Sequence, residues 1–374
     1  MKIRYFDHSA TTKVNREVLD SMIPYFSYEY GNPSSLYSVG REAKRAIEEA
    51  RQKVAKSINC NPSEIYFTSC GSESDNLAIK GFAKANKKKG NHIITSKIEH
   101  PAVINTCKTL EKEGFEVTYL NVDEKGFINL NELERSIKEN TILISIMTAN
   151  NEIGTIEPIS KIGEIAHKYN IAFHTDSVQA IGNVKIDVRK MNIDMLSMSA
   201  HKFYGPKGIG ALYVKDEVEV ERQQDGGHQE REKRAGTENV AEIVGLGTAI
   251  ELSDYNFNWY VQKLTRLRNY FLTELRNIFP DCKLNGDEKI RLPGHISVSF
   301  KGKNSQEILA KLDSYGICAS GGSACCSGEN KPSHVLQAIG LSREYLEGTI
   351  RITLGEENTI EDVNYLLQVL EKVV

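Results

Sequence analysis

The sequence predicts an α/β fold in which a mostly parallel sheet is flanked by helices. Short apolar runs alternate with helix-length polar segments, and no internal repeat or low-complexity linker interrupts them. Alternation of this kind is typical of parallel sheets with helices on both faces. Seven runs are expected to form strands: 64–69, 92–96, 116–122, 141–147, 171–176, 195–200 and 209–214.

The helices are indicated by their periodicity. Segments 72–86 and 156–170 have helical length and separate neighbouring strands. In sheets of this kind, ligands bind beyond the carboxyl ends of the strands, so a functional site is expected at the strand exits. The clearest helix is 41–58, which places small and apolar side chains on one face: Ala43, Ala46, Ile47, Ala50, Val54 and Ile58.

The last third of the chain has a different pattern. A long helical segment at about 240–278 is followed by short strand-like runs, and the chain closes with a helix at 359–374. This arrangement predicts a smaller α+β domain after the main sheet. The strand-like runs are 295–300, 315–320 and 349–354.

Composition argues against a nucleic-acid-binding protein and against a membrane protein. The 374 residues carry a net charge of −3, which does not suggest a surface for nucleic acid. No apolar run approaches the ~18 residues that span a bilayer. The first residues, "MKIRYFDHSATT", lack the apolar core of a signal peptide. We therefore expect a cytoplasmic protein with neither membrane nor direct nucleic-acid contacts.

The seven cysteines are scattered, and no pair has the Cys-x-x-Cys spacing of a zinc site. We expect free thiols and no metal. Cys325 and Cys326 are unusual because they lie in "GGSACCSGENKPS" (321–333), whose composition predicts an exposed, mobile loop. The remaining cysteines are Cys60, Cys70, Cys107, Cys282 and Cys318.

Polar residues collect at the strand exits. The run 64–69 leads into "TSCGSESDN", which suits either a phosphate at a helix N-terminus or an ordinary N-cap at Ser72 with Glu73 or Asp75 behind it. Asp176 ends the run 171–176 and is either a paired buried acid or a surface acid. Lys202 follows the run 195–200 and is either a poorly hydrated nucleophilic amine or a lysine that extends into solvent.

These groups together match the requirements of pyridoxal 5'-phosphate. Its aldehyde forms a Schiff base with a lysine, its pyridine nitrogen pairs with a carboxylate, and its phosphate suits a helix N-terminus. Because the carboxyl ends of parallel strands share one edge, Lys202, Asp176 and the 69–76 turn are expected to lie close together.

A series of motifs runs nearly from end to end of the chain: "YFDHSATT" (5–12), "GNPSS" (31–35), "ESDNLAIKG" (73–81), "EH" (99–100), "NNEIG" (150–154), "HTDSVQAIG" (174–182), "SAHKFYGPKGIGALYV" (199–214), "RAGTEN" (234–239), "GSAC" (322–325) and "RITLG" (351–355). With these motifs, the chain resembles the cysteine desulfurases, pyridoxal-phosphate enzymes of the aminotransferase class V group. The resemblance is to the subgroup that serves iron–sulfur cluster assembly and tRNA thiolation. It implies the fold type I transferase architecture.

The resemblance also implies a domain division and roles for the cofactor's neighbours. The large cofactor-binding domain would span 15–257, and the small domain would comprise 1–14 and 258–374 with the cysteine loop at about 320–333. Lys202 matches the Schiff-base lysine, Asp176 the pyridinium partner, and His100 the imidazole stacked on the ring. Gln179 matches the residue bonded to the ring hydroxyl, and the phosphate cradle matches Gly71, Ser72, Ser199 and His201.

The remaining roles concern substrate and sulfur. Arg351 matches the group that binds the substrate carboxylate, and Asn151 matches a contact to substrate and ring oxygen. Thr237 matches a phosphate ligand that reaches the other subunit's site, which implies a homodimer. Cys325 matches the nucleophile that takes sulfur from L-cysteine as a persulfide and leaves L-alanine. The persulfide would then pass to an acceptor, either a cluster scaffold or a tRNA-thiolating enzyme.

Other functions are compatible with the same motifs, and the chain differs from the family pattern at a few positions. A selenocysteine lyase or another class V enzyme would share the fold, and a sulfur-relay protein with weak catalysis of its own is an alternative of another class. Cys326 stands where relatives often have Thr. It is a spare small residue, a second thiol that receives or protects the persulfide, or a partner in a vicinal disulfide or a metal site. Cys70 stands where relatives often have Gly, and Tyr37 where many have His.

Overall fold

A computed structural model describes residues 2–321 and 332–374. The strands in this part of the chain are β1 Arg4–Tyr5, β2 Ile65–Thr68, β3 His92–Ser96, β4 Glu116–Leu120, β5 Thr141–Ser145, β6 Ala172–Asp176, β7 Met195–Ser199, β8 Gly210–Val214, β9 Lys283–Leu284, β10 His295–Ser299, β11 Ile317–Cys318, β12 Ser320–Gly321 and β13 Thr349–Thr353. Seven of them form one sheet in the order β2-β8-β7-β6-β5-β3-β4. All neighbours in this sheet are parallel except that β8 is antiparallel to both β2 and β7. The predicted fold class is confirmed.

The helices over the same residues are α1 Arg16–Met22, α2 Pro24–Ser27, α3 Ser38–Ile58, α4 Gly71–Asn76, α5 Phe82–Ala85, α6 Pro101–Lys112, α7 Leu130–Arg135, α8 Ile159–Lys168, α9 Val240–Ile278, α10 Ser305–Ser314, α11 His334–Ala338, α12 Arg343–Leu346 and α13 Ile360–Val373. A π-helical stretch, Leu77–Gly81, joins α4 to α5. Short 3-10 turns lie at Pro62–Glu64, Ala200–Lys202 and Gln229–Glu232.

The alternation of side chains along each strand sends neighbouring residues into different hydrophobic layers. In β3, Ile93 packs with side chains of α5 and α6, whereas Ile94 packs with the layer that includes α3 and α8. Leu143 and Ile144 of β5 divide in the same way. Because both faces are covered, the strands are continuous apolar runs and not alternating ones.

Helix α3 buries the small, apolar face that its periodicity predicts, and it packs against α9. The helices approach closely at Gly247, where an added Cβ would lie 2.7 Å from Ala50. A larger residue there would force the two helices apart. The helix ends at Asn59, which adopts the left-handed conformation common after a helix C-terminus.

A separate hydrophobic cluster contains Phe6 and residues between Leu264 and Val373. The remaining strands form two smaller sheets. One has the strand order β12-β13-β10-β9, and in the other β1 pairs with β11. Helix α9 crosses the expected boundary at 257/258 without a break, so the division into domains stays a prediction. None of the helices in residues 2–321 and 332–374 is long and apolar enough to cross a lipid bilayer.

The topology brings chain segments that are far apart in sequence to one edge of the large sheet. Strands β2, β3, β5, β6 and β7 all run in the same direction, so their carboxyl ends share that edge. The N-terminal segment leaves β1, pairs at Asp7 with Thr353, and then reaches this edge, where Thr12 N–H donates to the His201 carbonyl.

Candidate active site

A cavity of about 430 Å³ lies at the carboxyl edge of the sheet. Thr237 is exposed and does not line it, and Cys325 lies outside the described residues. The cavity is also lined by residues that the sequence did not single out, among them Ser9, Asp75 and Glu152. Ten of the predicted site residues line it: Gly71, Ser72, His100, Asn151, Asp176, Gln179, Ser199, His201, Lys202 and Arg351.

Lys202 ends the short 3-10 turn that follows β7. Its Nζ donates to the carbonyl of Ser9 at 2.5 Å and to that of Ala10 at 2.9 Å. Gln179 Nε2 donates to the same Ser9 carbonyl at 3.0 Å. The amine therefore lies at the cavity wall against the N-terminal segment, and the alternative in which it extends into solvent is wrong.

Asp176 ends β6 and is only 6% exposed, so the surface-acid alternative is also wrong. One carboxylate oxygen accepts the Val178 N–H at 2.9 Å. Burial raises the pKa of this carboxyl, while His100, the Val178 N–H and Lys202 oppose that effect. The Val178 N–H and the Lys202 ammonium group favour the ionised form of Asp176.

His100 is the N-cap of α6, where its Nδ1 accepts the Ala102 N–H at 3.2 Å. Burial lowers the pKa of His100, although the Asp176 carboxylate opposes this. A neutral ring whose Nδ1 accepts a hydrogen bond carries its proton on Nε2. Burial also lowers the pKa of His201 to about 4, so His201 is neutral at pH 7.

The start of α4 also lines the cavity. The helix begins at Gly71 with Cys70 as N-cap, so Ser72 is the second helical residue and the N-cap alternative is wrong. A Cβ on Gly71 would lie 2.6 Å from Val178 Cγ2, so only glycine fits without movement. The first N–H groups of a helix have no partner within it, and with the helix dipole they attract anions.

Arg351 lies in β13 and is 2% exposed. Its Nη2 donates to Asp7 Oδ1 at 2.9 Å, and its Nη1 donates to the Asn151 carbonyl at 3.0 Å. Its Nε has no hydrogen-bond partner among the described residues. Asp7 Oδ2 also accepts from Ser320 Oγ at 2.5 Å. The guanidinium is thus held at the cavity wall and can pair with a carboxylate.

Asp75 and Asp176 lie near His100, and one donor atom of each of these three residues lies within 4.8 Å of the others. This spacing is also compatible with a bound cation, so the expected absence of a metal site stays a prediction. The five cysteines in the described residues are free thiols. Cys326, like Cys325, lies outside those residues.

Glu152 is the basis of a pH prediction. It is 3% exposed, and its Oε2 accepts from Ser333 Oγ. Burial raises the pKa of Glu152 to about 7, against the opposing effects of Ser333 and Arg351. The folded protein holds the proton on Glu152 more tightly than the unfolded chain does. This proton therefore contributes its full stabilisation to the folded state below about pH 4.5. The stabilisation is lost as the pH rises through about 7.

We expect Glu152→Gln to remove this pH dependence. As the pH rises from about 4.5 to 7.5, wild type loses the stabilisation by the Glu152 proton and the variant does not. The unfolding free energy of the variant should therefore rise relative to that of wild type by up to about 3 kcal/mol over this range. Urea unfolding at a series of pH values measures the difference. A difference that stays constant with pH would contradict the prediction. Glu124→Gln, in the loop after β4, is the control because Glu124 is exposed.

Some of the residues at the cavity were missed by the sequence patterns. Ser9 and Ala10 act through backbone carbonyls, which leave no side-chain pattern. Asp75 was interpreted only as an acid behind a possible N-cap. Its spacing from Gly71 is a usable signal, because residues four apart lie on the same face of a helix.

Comparison with known proteins identifies the family. The aminotransferase class V model matches residues 4–366, and the chain belongs to that family. Proteins named cysteine desulfurase IscS are similar to it over nearly the whole length. The one from Clostridium botulinum (strain Hall) is 55% identical over 372 residues, which are 99% of this chain and 94% of the relative. The one from Methanosarcina thermophila is 52% identical over 373 residues, covering 100% of this chain and 92% of the relative.

The chain is also similar to solved structures over nearly its whole length. A "NifS-like protein" superposes with a TM-score of 0.94 at 40% identity, covering 100% of this chain and 99% of the other. A structure described as "SspA in complex with cysteine" has a TM-score of 0.83 at 42% identity, covering 95% of this chain and 100% of the other. The resemblance stated from the motifs is confirmed.

Proposed function

We propose that this protein is a cysteine desulfurase that uses pyridoxal 5'-phosphate to move sulfur from L-cysteine to Cys325, leaving L-alanine. The observation that carries the proposal is the meeting of Lys202, Asp176 and Arg351 in one cavity. These three supply an amine, an anion and a carboxylate-binding cation. Relatives named cysteine desulfurase, at up to 55% identity, support the same activity.

The residues present fit this cofactor. Lys202 would hold its aldehyde, buried Asp176 its ring nitrogen, and Gln179 its ring hydroxyl. The start of α4, where Gly71 leaves no room for a side chain, would hold its phosphate together with Ser199 and His201. When bound, the cofactor supplies an electron-withdrawing ring that stabilises negative charge at the substrate α-carbon.

The side chains of the cavity have distinct tasks. Arg351 would bind the substrate carboxylate and thereby fix the orientation of L-cysteine, helped by Asn151. Lys202 Nζ would take a proton from the substrate α-carbon and return one. His100 is neutral, and its Nε2–H is left free by the bond at Nδ1 to donate within the cavity. Arg351 is 2% exposed, so little water screens its interaction with a bound carboxylate.

Sulfur transfer follows from the thiol chemistry. The Cys325 thiolate attacks the substrate sulfur, so that a sulfur–sulfur bond forms and the carbon–sulfur bond breaks. The bond electrons remain with the substrate carbon, which takes up a proton and becomes the methyl group of L-alanine. Overall, L-cysteine and the Cys325 thiol become L-alanine and a Cys325 persulfide, with no external oxidant.

The proposal includes the partners expected from the resemblance. Thr237 is exposed and away from its own chain's cavity, as a ligand reaching a second subunit needs to be. The protein is thus proposed to be a homodimer. The persulfide would pass to a cluster scaffold or a tRNA-thiolating enzyme. The free thiols at the five described cysteines suit a reducing cytoplasm.

The test uses purified protein loaded with pyridoxal phosphate, L-cysteine and a reductant. We expect equal amounts of L-alanine and sulfide, and we expect Cys325→Ser to lower the rate at least about a hundredfold because serine does not accept sulfur. Cys326→Ser is the matched control for the adjacent thiol. Sulfide release by Cys325→Ser at the full rate would contradict the nucleophile assignment. A protein that binds no pyridoxal phosphate would contradict the proposed function.

A further inference from the structure

Asp75 is a buried acid of the cavity to which the proposed function assigns no role. It lies in α4, lines the cavity and is 1% exposed. Its Oδ1 has no hydrogen-bond partner among the described residues, and the nearest basic atom, His174 Nε2, lies 3.7 Å away. A polar atom left unpaired in this position is costly, particularly if it is charged.

Two histidine rings lie beside Asp75. His174 is held on both sides by hydroxyls, Ser145 at Nδ1 (2.9 Å) and Ser197 at Nε2 (3.0 Å). Burial lowers the pKa of His174 to about 3, so this ring is neutral. A nitrogen of His100 lies within 4.8 Å of an Asp75 carboxylate oxygen, and burial lowers the pKa of His100 as well. Burial, Asp176 on β6, Glu99 before α6 and Cys70 before α4 all raise the pKa of Asp75.

Only one of the two carboxyl groups, Asp75 or Asp176, is therefore expected to be ionised. Two adjacent buried carboxyls do not both ionise, and the pair shares a proton. Asp176 accepts the Val178 N–H, and Lys202 stabilises its ionised form. Asp75 has burial and Asp176 against it, and only the Ser197 hydroxyl favours its ionised form. The charge belongs on Asp176 and the proton on Asp75.

We propose that Asp75 is a positioning residue which keeps its proton, so that Asp176 is the single anion of the pair that faces the bound ring. This inference rests on the proposed function, because the ring is that of pyridoxal phosphate. The protonated Asp75 acts through Asp176. It fills the space beside Asp176 with a neutral polar group and limits the Asp75–Asp176 pair to one negative charge.

The inference predicts how two substitutions differ. Asp75→Asn places a neutral amide where the protonated acid stood, so it preserves both charge and size. Asp75→Leu keeps a similar volume but removes the polar group beside Asp176. If Asp75 is neutral, the asparagine variant behaves like wild type near pH 7, whereas the leucine variant leaves Asp176 in an altered environment.

The protonation state is measured by infrared difference spectroscopy on the holoenzyme with carbon-13 in its aspartate side chains. A protonated carboxylic acid has a carbonyl stretching band that the carboxylate lacks. We expect this band in wild type near pH 7 and its loss in Asp75→Asn. A wild-type spectrum without a band assignable to Asp75 would overturn the inference. Because this measurement needs no turnover, it stands whatever the enzyme's substrate is.

The positioning role is measured from the bound cofactor. For wild type and both variants we would determine the pyridoxal phosphate dissociation constant and the pH dependence of the cofactor's absorbance. Asp75→Asn should stay within about threefold of wild type, and Asp75→Leu should weaken binding at least about tenfold and shift the absorbance titration. Equal affinity and titration in Asp75→Leu and wild type would overturn the positioning role. Absence of cofactor binding in wild type itself would instead count against the proposed function.

Discussion

Replacing Lys202 with alanine is expected to lower the rate of sulfide release from L-cysteine by more than about a thousandfold. The amine would be both the attachment point of the cofactor and the group that moves the α-proton, and the two losses act together. Alanine also removes the donor to the Ser9 and Ala10 carbonyls, but these lie at a cavity wall that water can reach. The variant should therefore fold.

The measurement has two parts that separate these roles. Wild type should retain its cofactor absorbance after reduction with borohydride and denaturation, because the cofactor is covalently fixed, whereas Lys202→Ala should lose it. Added amines should restore part of the rate if proton transfer is the missing function. Lys207→Ala is the matched control, since Lys207 is exposed and five residues away. Covalent retention of the cofactor by Lys202→Ala would refute the assignment.

The fold could be predicted because the strands are buried on both faces. Every residue of β3, β5, β7 and β8 is buried, which makes each strand visible as a short apolar run. The direction of the strands then places Asp176 and Lys202 at one edge without further information. The helix boundaries at Val240 and Ile278 also agree with the predicted segment.

Other parts of the site depended on contacts that no local pattern encodes. The Ser9 carbonyl accepts from Lys202 in a segment that long-range contacts hold in place, among them the pairing of β1 with β11 and the bond from Ser9 N–H to Thr353 Oγ1. The Ser72 alternative failed because the chain is extended at Cys70 and the helix begins one residue earlier. Glu73, which would have supported a cap at Ser72, instead accepts the Ser69 N–H at 2.7 Å and pairs with Arg234 at 2.9 Å.

Breaking the ion pair between Arg51 and Glu230 is expected to have the largest effect on stability. Both side chains are 4% exposed, and they make two hydrogen bonds of 2.8 Å each. Arg51 also donates to the Ile65 carbonyl at 2.7 Å, and Glu230 accepts the Phe67 N–H at 2.8 Å. Removing one partner leaves the other charge buried, which costs about 3–5 kcal/mol.

The variants Arg51→Met and Glu230→Gln should each lose about this amount in urea unfolding, and the double variant should lose less than the sum. Arg51 offers its own control, because it also contacts Glu48 at 3.1 Å and Glu48 is 48% exposed on its side chain. Glu48→Gln should cost less than about 1 kcal/mol, as exposed pairs do. Equal losses for Glu48→Gln and Glu230→Gln would contradict the prediction.

The same ion pair has a consequence for the site. Glu230, Arg231 and Glu232 all have positive φ angles of 44°, 53° and 65°, a conformation that is unfavourable for residues other than glycine. The bonds from Arg51 and Phe67 hold Glu230 in it, seven residues before Thr237. If Thr237 binds the cofactor phosphate of a second subunit, releasing this segment should weaken cofactor binding as well as folding. Glu230→Gln should then raise the pyridoxal phosphate dissociation constant under conditions where the variant is still fully folded, and Glu48→Gln should not.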